Sequence, residues 1–173
     1  MNVVLCMERL PGSVSKTRAF DLTEEMLDAA RERCQSFGAR FLTEEGDVST
    51  DDFGCSYDVI MAGLSLHHLE DEQRRQAFGQ IFAALRPGGV LLVRDVIADD
   101  DSYIAEWHYR LWRAFMSANG EDGEFWFRKH LQKDHPISVR RQLRWLRDTG
   151  FEHVACHWRY LNFAVLGAHK TPT

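Results

Sequence analysis

The fold is decided between residues 57 and 93, which read YDVIMAGLSLHHLEDEQRRQAFGQIFAALRPGGVLLV. Residues 57–62 and 90–93 form two short apolar runs rather than alternating patterns. Continuous apolar runs are typical of strands that are covered on both faces inside a parallel sheet. The two runs therefore predict neighbouring strands of an α/β domain.

Between these strands the spacing of the apolar residues changes to that of a helix. From Asp71 to Leu85 apolar side chains recur every three or four residues, which predicts an amphipathic helix with Asp71 as its cap. Arg74 and Arg75 fall outside this spacing, so we expect both on the outer face. Residues 86–89, RPGG, end the helix, because proline disfavours helical geometry before it and glycine permits the reversal.

The flanking sequence extends the alternation of strands and helices. A helix is predicted from Glu24 and a short strand at Ala39 to Leu42, while Val154 to Trp158 and Phe163 to Leu166 read as two terminal antiparallel strands. This order predicts a Rossmann-like, doubly wound and mostly parallel sheet with a C-terminal antiparallel strand pair.

Length and composition set the class of protein. The 173 residues suit a single domain over 1–173, and 45% hydrophobic with 27% charged residues excludes intrinsic disorder. A net charge of −5 disfavours nucleic acid as a partner. The absence of a long apolar run in the sequence predicts no membrane association and a soluble, cytoplasmic protein. The four cysteines, with no CxxC pair, are unlike a disulfide framework or a zinc site.

Aromatic residues are concentrated between residues 100 and 137. This segment holds eight of the 20 aromatic side chains: Tyr103, Trp107, Tyr109, Trp112, Phe115, Phe125, Trp126 and Phe127. A helix is predicted over residues 102–117, with apolar residues at core spacing. We expect a helical, aromatic-rich insertion that either closes over a ligand as a lid or packs its rings on the edge of the sheet.

Candidate site residues follow the predicted strands, because ligands of open α/β sheets bind at the carboxyl ends of the strands. Asp21 offers a carboxylate to the hydroxyls of a ribose, or alternatively caps the next helix. Leu22 and Met26 offer an apolar face to an adenine. Asp47, beside Val48, can accept a hydrogen bond from an adenine amino group, or is merely part of a turn.

Two adjacent histidines follow the strand at residues 57–62. On a regular helix His67 and His68 would point about 100° apart, so we expect no shared metal ion. One of them is a candidate general base, and the alternative is a structural role in capping or filling a polar corner.

Four segments, FDLTEEML at 20–27, EEGDV at 44–48, YDVIMAGLSLHHLED at 57–71 and LRPGGVLLV at 85–93, resemble class I S-adenosylmethionine-dependent methyltransferases in order and spacing. The resemblance implies S-adenosylmethionine (SAM) as cofactor and a small-molecule methyl acceptor. It implies Asp21 as the ribose ligand, Leu22 and Met26 as adenine neighbours, Asp47 and Val48 at the adenine edge, and Ala62, Gly63 and Leu64 near the methionine part. His67 or Tyr109 is the candidate base at the methyl end.

One departure from the family pattern concerns the start of the chain. The family's first strand and its glycine-rich turn, which holds the methionine part of the cofactor, have no counterpart before Asp21. Residues 3–12 resemble the tail of the first crossover helix; the alternative is that Val3 to Met7 pair as an extended segment in the gap left by the central strand. We therefore expect an N-terminally incomplete domain, either a truncated enzyme or a degenerate relative with weakened cofactor binding.

Two other functions stay open at this stage. A non-catalytic methyltransferase-like fragment or paralogue would act by pairing with another chain, as a homodimer or as a heteromeric partner. Binding of a nicotinamide cofactor through Asp21 is less favoured, because no GxGxxG opens a helix about 20 residues ahead of it.

Overall fold

The computed structural model describes residues 4–10, 13–52 and 54–172, with only the backbone for residues 4–10 and 13–15. The described strands are β1 Val4–Leu10, β2 Ser13–Asp21, β3 Phe41–Glu45, β4 Tyr57–Gly63, β5 Leu85–Val96, β6 Glu152–Tyr160 and β7 Phe163–His169. The helices are α1 Glu24–Arg33, α2 Asp71–Ala84, α3 Ser102–Ala118, α4 Gly123–Lys133 and α5 Val139–Thr149, with 3₁₀ turns at Gln35–Arg40 and Leu66–His68.

The strands form one sheet in the order β3-β2-β1-β4-β5-β7-β6. The pairs β2 with β3 and β4 with β5 are parallel, whereas β1 and β7 run antiparallel to both of their neighbours. Five of the seven strands therefore point the same way. The predicted mixed α/β fold, with a mostly parallel sheet and a C-terminal antiparallel pair, is confirmed.

The centre of the sheet differs from the expectation for residues 3–12. The described residues 4–10 form a strand and not the tail of a helix: β1 pairs with β4 from Val4 opposite Ala62 to Met7 opposite Val59, and with β2 on its other side. The extended alternative is the correct one, although Val3, Pro11 and Gly12 lie outside the described residues. The physical reason is that β1 gives hydrogen-bond partners to the inner backbone groups of β2 and β4, which a helix would leave unpaired.

The hydrophobic core lies mainly around β4 and β5. Ile60 and Leu91 are fully buried, and Phe78 and Ile81 of α2 pack in the same cluster, as does Leu146 of α5. The continuous apolar runs of β4 and β5 thus correctly indicated strands at the centre of the core. The strand predicted at Ala39 to Leu42 begins later, at Phe41, because the preceding residues form a 3₁₀ turn.

The start of α2 differs from the sequence expectation in two ways. The N-cap is Glu70, whose side chain forms a reciprocal capping box with Gln73, and Asp71 is the first helical residue. Arg74, expected on the outer face, is instead 1% exposed. The helical spacing correctly identified the apolar face of α2. It did not show that the loop after β4 and the segment after α4 cover Arg74 on the opposite face.

The buried guanidinium of Arg74 is bound by backbone carbonyls of two segments. Its Nε donates to Leu66 O at 3.0 Å, and its Nη2 donates to Leu69 O at 2.9 Å and to His135 O at 2.6 Å. Burial lowers the pKa of Arg74, and the nearby carboxylates of Asp95 and Asp71 act in the opposite direction. Arg74 therefore ties the loop after β4 to the segment after α4.

The aromatic face of α3 is not core. Of the residues predicted there, only His108 is buried, while Ile104, Trp107, Leu111 and Phe115 are exposed. The reason is that α3 packs against α4, outside the sheet, rather than on the sheet edge. Among the described residues no helix combines the length and the apolar character that crossing a membrane requires.

We expect Arg74→Met to lower the free energy of unfolding by about 3 kcal/mol, because the carbonyls of Leu66, Leu69 and His135 lose a charged donor while they stay buried. Urea unfolding followed by circular dichroism measures the change. Arg75→Met is the matched control: Arg75 is exposed one position along α2 and lies over the Trp145 ring, so its loss should cost about 1 kcal/mol or less. An equal loss of unfolding free energy in the two variants would contradict the structural role of Arg74.

Candidate functional site

A cavity of about 260 Å³, here called the first cavity, lies at the carboxyl ends of β2 and β3. Its walls include five residues that the sequence analysis assigned to a nucleoside site: Asp21, Leu22, Met26, Asp47 and Val48. The remaining lining residues are Phe20, Thr23, Gly46, Ser65, His68 and Leu69. The structure thus brings the predicted ribose and adenine residues to one place.

Asp21 combines the two roles that the sequence left open. Its Oδ1 accepts hydrogen bonds from the Thr23 backbone N–H at 2.9 Å and from the Thr23 hydroxyl at 2.8 Å, which fixes the entry to α1. Its Oδ2 accepts no hydrogen bond from the described part of the chain. One oxygen is therefore structural, and the other is free to accept hydroxyl groups of a ligand.

Asp47 repeats this arrangement after β3. Its Oδ1 accepts from the Ser49 backbone N–H at 2.7 Å and from the Ser49 hydroxyl at 2.6 Å. Gln80 of α2 donates to Ser49 O at 2.9 Å, so the turn is anchored to the core helix. The turn and the ligand interpretation of Asp47 are again compatible, since Oδ2 has no partner among the described residues.

The residues predicted near the methionine part of the cofactor separate in the structure. Ala62 is buried in the core. Neither Ala62 nor Gly63 lines the first cavity or the second cavity that adjoins it, which is described next. Leu64 has a φ of 55°, a left-handed conformation that is strained for a side chain with a Cβ, and its N–H donates to Arg94 O at 2.8 Å. This strained turn directs Ser65 to His68 across the ends of β4 and β5.

A second cavity of about 390 Å³ adjoins the first at His68, which lines both. Its walls are Leu64, His67, His68, Val96, Trp112, Trp126, Lys129, His130, Lys133, Asp134 and Phe163. The sequence analysis missed the contribution of α4. Trp126, Lys129, His130 and Lys133 follow a spacing of three and four residues, and this one-sided pattern was the available signal.

His67 and Asp95 form a buried pair at the wall of the second cavity. His67 Nδ1 lies 2.5 Å from Asp95 Oδ1, and the exposed fractions of the two residues are 5% and 3%. Asp95 Oδ1 also accepts the Val96 backbone N–H at 3.0 Å. The pairing favours the tautomer with its proton on Nδ1, which leaves a lone pair on Nε2. Asp95 was missed by sequence, although a carboxylate at the end of an apolar strand was the signal.

His67 and His68 do not diverge as the helical argument predicted. They lie in the 3₁₀ turn Leu66–His68, and their ring centroids are 4.0 Å apart. Asp134 lies between them and His130: its Oδ1 is 2.8 Å from His68 Nδ1, and its Oδ2 is 2.7 Å from His130 Nδ1 and 3.8 Å from His67 Nε2. Three imidazoles thus face one carboxylate.

Tyr109, the second candidate base, lies behind this cluster. Its hydroxyl is 3.2 Å from His130 Nε2, and it is not part of the lining of either cavity. Burial raises the pKa of Tyr109, and the charges of Asp134 and Glu106 add to the shift. The phenol therefore keeps its proton at neutral pH, so Tyr109 is suited to support His130 rather than to act as a base.

Comparisons with known proteins agree with this geometry. A family model described as a methyltransferase domain matches residues 3–89, half of the chain. A carboxy-S-adenosyl-L-methionine synthase from Chromohalobacter salexigens is 29% identical over 169 residues, which cover 94% of this chain and 62% of that protein. The corresponding protein of Wolinella succinogenes is 22% identical over 173 residues, covering 98% and 72%. The chain thus spans less than two thirds of the first of these relatives.

Solved structures share the fold at low sequence identity. The YcgJ protein from Bacillus subtilis superposes with a TM-score of 0.68 at 13% identity, over 92% of this chain and 84% of that one. The SAM-dependent methyltransferase SibL gives 0.65 at 20% identity, over 90% and 43%. Human N-acetylserotonin methyltransferase in complex with SAM gives 0.59 at 17% identity, over 89% and 40%.

The raised pKa of Tyr109 predicts a late ionisation. When tyrosinate absorption is measured against pH, the unmodified chain should show a titration step with a pKa above the ordinary value of 10.0. Tyr109→Phe should lack this step. Tyr103→Phe, which removes an exposed ring, is the control and should keep the late component that belongs to Tyr109. Because the folded state holds the Tyr109 proton more tightly, this group's contribution to stability is full below pH 10.0 and is lost as the pH rises through the folded pKa. A Tyr109 component at or below the ordinary value would contradict the assignment.

Proposed function

We propose that this chain, which belongs to the class I S-adenosylmethionine-dependent methyltransferase family, transfers the methyl group of SAM to a small-molecule acceptor. The single observation that supports this most is the pair of adjoining cavities at the carboxyl edge of the sheet. The first cavity is lined by the carboxylates Asp21 and Asp47, and the second is lined by His67, whose ring is paired with the buried Asp95.

The first cavity fits the adenosyl part of SAM. The free Oδ2 of Asp21 is available to ribose hydroxyls, and that of Asp47 to an amino group at the adenine edge. Leu22, Met26 and Val48 supply apolar contacts for the base. Leu22 is 61% exposed, and covering it with an adenine ring would remove apolar surface from water.

The methionine part would then extend toward His68 and Leu64, where the two cavities meet. Ala62 is buried, so we infer that the stretch from Ala62 to Gly63 approaches this part of the cofactor through its backbone, and that Leu64 is the side chain in contact. SAM supplies a methyl group already activated by its sulfonium, and the task of the chain is to align the acceptor with it.

His67 is the proposed general base. His67 lines the second cavity, and its Nε2, which the bond of Nδ1 to Asp95 leaves unused, would take a proton from an acceptor hydroxyl. Asp95 holds the ring through Nδ1 and would stabilise the imidazolium that forms. Tyr109 supports His130, which lines the second cavity, through the hydrogen bond between them.

The segment 100–137 is the proposed lid. It supplies α3 and α4, and from them Trp112, Trp126 and His130 line the second cavity. Rings on this wall can cover a small planar acceptor and exclude water from the reacting atoms. The acceptor class that fits is therefore a small, partly apolar molecule with an ionisable hydroxyl.

Antiparallel β1 lies beside the first cavity. Its first described residue, Val4, pairs with Ala62 and Phe20 at the cavity edge.

A second candidate function follows from the relatives. Because the chain is 29% identical to a carboxy-S-adenosyl-L-methionine synthase, SAM itself could be the molecule that is modified. A non-catalytic role as a homodimer or heteromeric partner is favoured by a different observation, the exposed aromatic face of α3. Mass spectrometry of incubations with SAM and a panel of small phenols and carboxylic acids separates the three functions. S-adenosylhomocysteine would indicate methyl transfer, carboxylated SAM would indicate modification of SAM itself, and no product would indicate the non-catalytic role.

Calorimetric titration of SAM tests the first cavity. We expect binding in the micromolar range, weakened about 10- to 100-fold in Asp21→Asn. Asparagine keeps the Oδ1 acceptor for Thr23 but replaces Oδ2 with a donor, so α1 stays capped while the ribose contact is lost. Asp28→Asn, an exposed position on the same helix, is the matched control and should leave the affinity unchanged. No heat with the unmodified chain would favour the non-catalytic role.

The base is tested by turnover with whichever acceptor of the panel gives product. We expect His67→Gln to lower kcat about 10²- to 10⁴-fold with little change in the SAM dissociation constant. Asp95→Asn should also lower kcat, because it removes the carboxylate that orients the ring. His169→Gln is the control. His169 pairs with Val90 at the end of β7 that is remote from Val96 and from the cavities. A His67 variant with unchanged kcat would refute the assignment.

A further inference from the structure

We propose that His67, His68 and Asp134 form a binding site for a divalent transition-metal ion such as zinc(II) or cobalt(II). Each residue offers one ligand atom, and these atoms all lie within 4.8 Å of one another. They come from two distant parts of the chain, the turn after β4 and the residue after α4. The site goes beyond methyl transfer, and its test does not depend on that activity.

The distance between His67 and Asp134 is suited to a bridging cation. His67 Nε2 and Asp134 Oδ2 are 3.8 Å apart, beyond a hydrogen bond. In the tautomer that Asp95 favours, both atoms present lone pairs to each other, which is repulsive without a cation. Ligand atoms about 2.0–2.1 Å from a tetrahedral ion are about 3.4 Å apart, so a small inward shift would complete the contact.

Two of the three proposed ligands, His67 and Asp134, are held by hydrogen bonds to residues outside the ligand set. Asp95 accepts from His67 Nδ1 at 2.5 Å, which is the carboxylate-histidine-metal arrangement that orients an imidazole toward an ion. His130 Nδ1 lies 2.7 Å from Asp134 Oδ2, and Tyr109 OH lies 3.2 Å from His130 Nε2. These outer groups hold the ligand atoms in place before an ion arrives.

The backbone also joins the two ligand segments. The His135 N–H donates to His67 O at 2.6 Å, and Arg74 donates to carbonyls of both segments. Ion binding therefore requires only side-chain adjustment, chiefly the exchange of the hydrogen bond between His68 and Asp134 for two bonds to the metal.

The donor set selects the class of ion. Two imidazoles and one carboxylate suit zinc(II), cobalt(II) or nickel(II), whereas magnesium and calcium prefer oxygen ligands. Asp95 and Asp134 place two carboxylates at the site. Two cationic side chains of α4, Lys129 and Lys133, also line the second cavity. The Lys129 Nζ lies 5.0 Å from the ring centroids of Phe125 and Trp126, in cation–π contact with them. Three protein ligands would leave one coordination position open toward the second cavity.

An ion at this site would use the Nε2 lone pair that proton removal by His67 requires. Metal binding and base function are therefore alternative states of the same imidazole. For this reason direct binding, rather than turnover, is the deciding measurement, and SAM calorimetry on the unmodified chain tests the proposed function separately.

The experiment uses the full chain after treatment with a chelator and dialysis. Cobalt(II) is added while the visible absorption is recorded, and zinc(II) is titrated by calorimetry. We expect one ion per chain, with the intense visible bands of low-coordinate cobalt(II) and displacement of cobalt by zinc. His68→Gln and Asp134→Asn should each weaken binding at least 10-fold, and Asp95→Asn, which removes no ligand, about 10-fold.

The matched control addresses the other close pair of histidines. The rings of His153 and His169 lie 5.8 Å apart at the opposite edge of the sheet, so His169→Gln removes a competing surface site. We expect cobalt affinity to be unchanged in this variant. Circular dichroism of every variant verifies folding, and Asp95→Asn provides a second test if Asp134→Asn unfolds. The proposal is overturned if cobalt does not bind, if binding persists in His68→Gln, or if it disappears in His169→Gln.

Discussion

The arrangement of the site depends on one buried cation. The guanidinium of Arg74 donates to Leu66 O, Leu69 O and His135 O, and so joins the turn after β4 to the chain leaving α4. A buried charge is tolerated only where such acceptors surround it. Because α2 is itself anchored in the hydrophobic core, Arg74 connects the rigid centre of the domain to both sides of the second cavity.

The sheet explains where the two cavities lie. The carboxyl ends of β2 to β5 meet at one edge, and the loops that follow them carry Asp21, Asp47, His67 and Asp95. The antiparallel β1 keeps β2 and β4 in place by pairing with both, so the nucleoside-sized cavity is retained. The start of β1 therefore lies at the cavity edge, where Val4 pairs with Phe20 and Ala62.

The extent of prediction differed between local and long-range features. The strands at 57–62 and 90–93 and the helix after Asp71 were predictable because apolar spacing reports burial directly. The shared location of Asp21, Leu22, Met26, Asp47 and Val48 at one cavity could be expected because each lies at, or shortly after, the carboxyl end of a strand. Three features could not be predicted: the burial of Arg74, the exposure of the α3 aromatic residues and the antiparallel direction of β1. Each depends on which segment packs against it.

The sequence by itself determined the class of fold and the carboxylates of the first cavity. The alternation of strands and helices along the chain, and the residues at strand ends, are local properties. Only the tertiary structure brought Asp134 of the α4 end to within 3.8 Å of His67 and paired Asp95 with the same ring. Residues 67 and 134 are far apart along the chain, and no periodicity links them. Their contact results from the way the buried Arg74 and the packing of α4 close the second cavity.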